Sequence, residues 1–598
     1  MVQEKKIKEA AASSRCLQWL FANLSGYGAL YVLGIILTIV YNGMQLTVPI
    51  FSQKIVDLFL SGEESAVTNL EQHKDWLLWL LVGMVGLTFL RTFLVYHTCM
   101  IFERVSQGML YRIRNRLFRK ILNQDMGFYD RYRTGDLMTR LTGDLDAVRH
   151  MVAWVVRTVV ECVSLLLSAS IYFIYLDPIM AVSILALSPL IFFVTLAFKR
   201  QVAPMHQRLR ERMSELNTAA QENISGNRVV KAFAREQYEI ERFRKRNEEY
   251  SEARKETSLL WLKYYPVIEM CADALPVILM VLGGFFLMRG RLSFGEYVAY
   301  SGLLWTVANP MRNLGNIINE FQRFHSAAQK VMELDAAEPT IVTAAPSGTE
   351  EPLRGRVEFR NVSFAYGERE VLHRVDLTIE AGQTVAIMGE TGSGKTSLIQ
   401  LIPRFYDPQE GEVLVDGKNV KDWELKKLRG HIGMATQDVL LFSDSIDGNI
   451  AYGNSKMPAS QVEQFAESAA AAEFIERMPD KYETIVGERG VGLSGGQKQR
   501  ISLARALAIR PAILILDDTT SAVDLETEKH IQDSLSHLDF PCTKIIIAQR
   551  ISSTKDADQI LVLEHGRISE QGTHAELLAK KGYYYQVAML QNGGEQVG

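Results

Sequence analysis

Val385-Ala386-Ile387-Met388-Gly389-Glu390-Thr391-Gly392-Ser393-Gly394-Lys395-Thr396-Ser397 sets a short apolar run against a glycine-rich loop that ends in lysine and threonine. The apolar run reads as a buried strand, and Ser397 to Ile402 continues as an apolar helix. Between a strand and a helix, such glycines let backbone N–H groups close around phosphate oxygens. Lys395 then supplies charge to the β- and γ-phosphates, and Thr396 offers a hydroxyl to Mg2+. The flanks give the spacing its meaning. The bare pattern can recur by chance in 598 residues, but far less readily with a strand before it and a helix after it.

Reading outward, Ala512-Ile-Leu-Ile-Leu-Asp517 is a second buried strand, and its terminal carboxylate places Asp517 near the same Mg2+. Between the two lies Leu493-Ser494-Gly495-Gly496-Gln497, which opens a helix whose N-terminus can receive a phosphate. Val357 to Phe364 alternates as a strand. Residues 357–598 are therefore expected to form an α/β nucleotide-binding domain that takes ATP and Mg2+, with 335–356 as a linker.

The first half reads differently. Six segments carry about the 20 apolar residues that a spanning helix needs: Tyr27 to Leu60, Trp76 to Met100, Val155 to Leu176, Ile179 to Phe198, Val267 to Met288 and Tyr297 to Ile318. Residues 27–334 are thus expected to be a helical membrane domain, preceded by a cytoplasmic or interfacial segment over 1–26. Met1 to Arg15 is charged and polar, which does not suit a cleavable signal, and Cys16 to Leu24 suits a helix on the membrane surface. Glu103 to His150 and Lys199 to Lys263 are long, basic connections with apolar residues at helical spacing (Val105, Met109, Ile113, Leu117, Ile121). Their positive charge puts them, and both termini, in the cytoplasm; Arg289 and Arg291 on the outer side go against this trend. Each connection breaks once, at Gln124–Asp130 and at Asn223–Arg228. A net charge of −4 offers no nucleic-acid footprint. Five scattered cysteines without metal-ligand spacing indicate neither zinc nor a disulfide framework.

With these motifs in place, the chain resembles the ATP-binding-cassette superfamily, and over nearly its whole length the half-transporter exporters. The resemblance rests on Gly389 to Thr396, Gln437, Leu493 to Gln497, Asp517 and Ser521-Ala-Val-Asp524, together with Thr484-Ile-Val-Gly-Glu-Arg-Gly490 just before the signature. It implies that Tyr366 stacks on adenine, that Gln437 senses Mg2+ and the γ-phosphate, and that Asp524 belongs to the nucleotide site. It also implies that the hairpin tips at Phe128-Tyr129 and Val229 to Ala234 dock on cassettes near Gln437 and Glu488, the second tip on a partner's. Family cassettes pair head to tail, so each ATP lies between one chain's phosphate loop and the other chain's signature.

Two residues depart from the family pattern. Asp518 stands where the catalytic glutamate is usual, and Gln549 stands where the switch histidine is usual. A carboxylate one methylene short, and an amide that cannot carry charge near neutral pH, both weaken the same site. The expectation is a heterodimer in which this chain supplies the phosphate loop of a weak site and the signature of a competent one. A different half-transporter chain would carry the glutamate and the histidine. The expected activity is ATP-driven export of small amphipathic molecules, drugs or lipids, across a bacterial plasma membrane. A peptide exporter and an ATP-gated channel or regulatory subunit are the alternatives. Asn309, Asn313, Asn316 and Glu320 form a polar stripe in the sixth segment, and Glu269 and Asp273 share a face of the fifth. Ionisable groups at that depth line water or pair with each other, so these six residues are expected to line a substrate cavity. Arg157 and Glu161, one helical turn apart, are expected to pair instead.

Overall fold

The computed structural model describes residues 14–60, 66–345, 353–487, 490–519 and 523–591. The tail Met1–Ala12, Ser61–Ser65 of the expected first loop, Glu488 and Ser521-Ala522 of the motif loop lie outside the described residues. Two compact units emerge. One takes in the chain up to Leu122 and Arg133–Ala337; the other takes in Asn123–Tyr132 and the chain from Glu338 onward.

The first unit is built of long helices. Ala66–Leu122 is a single helix of 57 residues, about 85 Å at 1.5 Å per residue, so most of it extends beyond a hydrocarbon core of about 30 Å. Val105, Met109, Ile113, Leu117 and Ile121 are all buried along it, as their helical spacing requires. Among the described residues, five helices are long and apolar enough to cross a membrane: Gly28–Leu58, Asp75–Leu122, Thr134–Leu176, Pro178–Ser225 and Glu236–Met288. The sixth expected span is helical in two pieces, Phe294–Leu303 and Trp305–Ala336, but is not among those five. Its asparagine stripe dilutes the apolar run.

Local breaks follow the sequence less evenly. The first span is not continuous over Tyr27 to Leu60: it stops at Met44 and resumes at Thr47, with Pro49 in the first turn of the second piece, where a missing N–H is tolerated. π-Helical turns at Arg140–Asp144, Met151–Val155 and Leu279–Gly283 interrupt the third and fifth spans. Arg291, out of place by charge bias, donates from Nε to Asp177 Oδ2 at 2.6 Å. Asp177 Oδ1 also accepts the Met180 N–H at 2.8 Å and so caps the helix that begins at Pro178. The N-terminal helix over 14–23 buries Cys16 and Leu20, and the Trp19 indole donates to Asp335 at 3.1 Å.

The second unit is α/β. Its strands are β1 (Val357–Tyr366), β2 (Arg369–Ile379), β3 (Thr384–Met388), β4 (Glu410–Val415), β5 (Lys418–Asn419), β6 (Ile432–Ala435), β7 (Ile513–Asp517), β8 (Thr543–Ile547), β9 (Gln559–Glu564) and β10 (Arg567–Gly572). A four-stranded antiparallel sheet runs β2-β1-β4-β5, and a six-stranded sheet runs β10-β9-β3-β8-β7-β6. Within the larger sheet β9, β3, β8, β7 and β6 are parallel. β3 and β7 are apolar throughout except for Thr384 and Asp517 at their ends, because both faces of the parallel sheet are covered, one by the helix Lys395–Gln400 with β1, β2 and β4 and the other by helices.

The tip of the first hairpin belongs to this second unit. Asp125 caps the short helix Met126–Arg131 by accepting the Phe128 N–H at 2.9 Å. Its other oxygen accepts from Thr340 N at 2.6 Å and Thr340 Oγ1 at 2.7 Å. Burial pushes the Asp125 carboxyl up, but these hydrogen bonds outweigh it and hold the group below its ordinary value. Tyr406 donates to Asp130 at 2.9 Å, and Phe128 is buried. The second tip, Asn227–Ala232, leaves Val229 and Phe233 exposed and ends at Ala234 in a left-handed conformation (φ 50°). Asp125→Ala removes a cap and an anchor together. It should speed amide exchange over residues 126–132 by roughly tenfold, the equivalent of about 1–2 kcal/mol, and unchanged exchange would show that the tip is held by other contacts.

Candidate active site

Strand order builds this site. β8 lies between β3 and β7, so the loops leaving the carboxyl ends of these three strands are neighbours, which is where open parallel sheets bind ligands. The phosphate loop leaves β3, Asp518 leaves β7, and Gln549 follows β8 after one residue. They face a cavity of about 400 Å3 lined by Tyr366, Arg369, Val371, Thr391, Gly392, Gly394, Lys395, Thr396, Ser397, Gln437, Asp517, Asp518, Ile547 and Gln549. Most residues expected to hold nucleotide from this chain are thus brought together. Arg369 and Val371 of β2 were not expected; nothing in their local sequence marks them.

The loop needs glycine at specific points. Gly389 has φ +142° and a Cβ there would lie 2.1 Å from Leu563 O; Gly394 has φ +105° and a Cβ 2.9 Å from the Leu372 side chain. Gly392 has φ +84° with open space around it. Lys395 Nζ donates to Gly389 O at 2.8 Å and Glu390 O at 2.7 Å, folding the loop over its own lysine. Burial pulls the Lys395 ammonium below its ordinary pKa, and the nearby Asp517 and Asp518 carboxylates oppose that. Ser393 contributes a buried hydroxyl on the inner side of the loop. Thr396 Oγ1 donates to Asp517 Oδ2 at 3.1 Å. Burial raises the Asp517 pKa, with Thr396 working against the rise. A hydroxyl beside a buried carboxylate fits a hard divalent cation that keeps its other positions for phosphate and water.

Asp518 is held rigidly. Its backbone is left-handed (φ 51°), its N–H donates to Ile547 O at 3.0 Å, and its carbonyl accepts from Gln499 Nε2 at 3.4 Å. Tyr366 donates to Gln400 Oε1 at 2.9 Å and meets Tyr406 edge-on at 5.2 Å; burial raises its pKa. Gln437 is exposed at the cavity rim.

Leu493, Ser494, Gly495, Gly496, Gln497 and Asp524 stand outside this lining. Ser494 caps the helix Gly495–Ala508 in a capping box with Gln497, whose N–H donates to Ser494 Oγ at 3.3 Å. The serine hydroxyl accepts there, so its own proton stays free to donate. Asp524 caps Leu525–Ser536, taking both the N–H and the hydroxyl of Thr527 at 2.9 Å, which holds its carboxyl below the ordinary value.

The expected substrate residues sit on two helices of the first unit. Glu269 is half-buried and Asp273 exposed on Glu236–Ile278; Asn309, Asn313 and Asn316 are exposed on Trp305–Ala336. Glu320, further along, is engaged by His150 at 3.7 Å and Arg323 at 3.9 Å. Arg157 Nε lies 3.7 Å from Glu161, as an ion pair within one helix.

A chain with membrane-spanning helices and a P-loop cavity of this kind is an ATP-binding membrane transporter by class. Residues 31–311 match the family of the ABC transporter transmembrane region, and residues 372–521 match the family described as ABC transporter. The chain is 36% identical over 568 residues to the ABC transporter ATP-binding protein YknU of Bacillus subtilis, covering 94% of this chain and 95% of that one. It is 34% identical over 530 residues to the ATP-dependent lipid A-core flippase of Syntrophus aciditrophicus, covering 88% of each. The structure of a bacterial Atm1-family ABC exporter with ATP bound superposes with a TM-score of 0.79 at 27% identity, over 94% of this chain and 99% of that one. The chain belongs to the ABC transporter family, with the exporter fold and a membrane-embedded helical domain.

The glycines should not be equivalent. Gly389→Ala, which must displace the Leu563 carbonyl, should abolish nucleotide binding in a filter or fluorescence assay. Gly392→Ala, strained only by its backbone, should retain binding with a loss of about 1 kcal/mol. Equal effects would mean the loop is not held against β9.

Proposed function

We propose that this chain is one half of a two-chain ATP-driven exporter of lipid-like amphipathic molecules, and that its own phosphate loop builds the slower of two ATP sites. The partner would be a different half-transporter chain carrying glutamate and histidine where this chain has Asp518 and Gln549. The observation that carries this reading is the meeting of both departures in one cavity with Lys395, Thr396 and Asp517. The backbone at Asp518 is tied to β8 and to Gln499, so it has little freedom to advance the shorter carboxylate toward an attacking water. A displacement of about 1 Å there costs roughly a hundredfold in rate. Gln549 can hydrogen-bond a γ-phosphate but cannot stabilise it as a cation.

Thr396 and Asp517 would hold Mg2+ with the nucleotide phosphates. The ion, when bound, offsets phosphate charge and lowers the barrier to transfer. Lys395 and the loop amides orient the phosphates, and Tyr366 supplies an aromatic face for the base. Ser494 lies outside this cavity with a hydroxyl proton to donate, which suits a role on nucleotide held by the partner's loop. Six spans with both termini cytoplasmic complete the proposed topology, the sixth being the polar Phe294–Ala336 segment.

The lipid-like substrate is supported by the flippase relatives and by polar groups in the apolar unit. Glu269, Asp273 and the asparagine stripe would line a wet inward-facing cavity, with Glu320 at its cytoplasmic end. Asp273→Asn together with Glu269→Gln should lower substrate movement in proteoliposomes by tenfold or more while basal ATP hydrolysis persists; unchanged movement would reject the lining.

The asymmetry is tested in the assembled transporter. Asp518→Ala should lower steady-state hydrolysis by less than about twofold, whereas removing the partner's glutamate should lower it about a hundredfold or more. Equal losses from the two changes would overturn the reading.

A further inference from the structure

The segment that follows β8 carries Gln549 at the cavity and then turns away through Arg550, Ile551, Ser552 and Ser553. It is gripped from two sides. Gln591, at the end of the helix Tyr583–Gln591, donates from Nε2 to Gln549 O at 2.8 Å and accepts the Ile551 N–H on Oε1 at 2.8 Å. One side-chain amide thus replaces a strand partner for the two residues around Arg550. On the other side Glu528, only 2% exposed, is reached by Arg550 Nη1 at 3.5 Å and by the Ser553 hydroxyl. Glu528 sits on Leu525–Ser536, the helix capped by Asp524.

The Gln591 contact is set by packing. Tyr584, Ala588 and Gln591 follow one another at helical spacing on one face of Tyr583–Gln591. Tyr584 and Ala588 are buried in a cluster with Met388, the last residue of β3, and Ile551 itself. That cluster sets the height of the helix against the face of β3 and β9 and delivers the Gln591 amide to the backbone of the switch segment. A surface glutamine usually spends its amide on water; here both ends meet main-chain groups of matching polarity, two residues apart.

We propose that Gln591 is a positioning residue for ATP: by clasping the backbone on either side of Arg550 it holds Gln549 where its side chain can reach the γ-phosphate. The proposal rests on the reading of Gln549 given above, and not on asymmetry between the two chains. A clasp acting through Gln549 affects only nucleotides that carry a γ-phosphate. A general structural role would change ATP and ADP binding together.

The test uses the assembled transporter in nanodiscs. This chain is photolabelled with azido-ATP, identified by its size, and the label is competed with ATP or with ADP. Gln591→Ala should raise the ATP concentration for half-competition roughly tenfold, the loss of one hydrogen bond to a charged group, and leave the ADP value unchanged. Gln591→Glu, which keeps the acceptor for Ile551 N–H and loses the donor to Gln549 O, should fall between and serves if the alanine variant folds poorly. Gln549→Ala should give the same selective shift, and the double variant no further one. Parallel weakening of ATP and ADP, additive shifts in the double variant, or no shift with either Gln591 substitution would overturn the clasp. If Gln549→Ala leaves ATP and ADP competition unchanged, the reading of Gln549 fails, and the clasp falls with it.

Discussion

The parallel pairing of β3, β8 and β7 is the constraint on which the ATP site depends. A parallel sheet aligns the carboxyl ends of its strands, and with β8 between β3 and β7 the phosphate loop, Gln549 and Asp517-Asp518 must converge. Register makes the convergence tight. Asp517 pairs with Ile547 across β7 and β8, and Ile387 pairs with Ile547 across β3 and β8. Asp517 cannot shift along its strand without breaking apolar contacts shared by all three. In the proposed reading, the hydrogen bond from the Asp518 N–H to Ile547 O is what would give a carboxylate one methylene short a mechanistic consequence that it would not have on a mobile loop.

The same logic links the site to its surroundings. Tyr366 touches Tyr406, and Tyr406 donates to Asp130 in the tip of the first hairpin. Gln549 is bound through its backbone to Gln591. Asp524 and Glu528 share one helix, whose start belongs to the motif loop and whose buried face holds Arg550. Tyr366 and Gln549 at the cavity thus each have an aromatic or hydrogen-bonded neighbour in a different element of the cassette. A change in nucleotide occupancy therefore has short physical routes into those elements.

Much of this was legible in the sequence because the decisive residues are local in it. The glycine pattern from Gly389 to Lys395 and the apolar run ending at Asp517 each carry their own flanks, and the structure places both where those flanks require. Period also served well: Val105 to Ile121 all turn inward on one helix. What escaped was non-local. Arg369 and Val371 reach the cavity only because β2 packs beside the loop, and no spacing announces that. Tyr406 and Gln591 are unremarkable in sequence, since their roles depend on partners 276 and 42 residues away. The break at Gln45-Leu46 and the π-helical turns were missed because an apolar run looks the same whether or not its helix is continuous. Glu320 shows the converse: it keeps the period of the asparagine stripe, yet His150 and Arg323 engage it.

The central claim is that this chain's own phosphate loop binds ATP but turns it over slowly. It is tested most directly in the assembled transporter, in nanodiscs, with the partner's glutamate replaced so that this chain's phosphate loop is left to turn over ATP, by comparing steady-state hydrolysis with that of the same complex carrying the Asp518→Glu, Gln549→His double variant. The account predicts ready ATP binding by both and turnover about a hundredfold lower in the natural chain. Vigorous hydrolysis by the complex with the natural chain, matching that of the double variant, would contradict it.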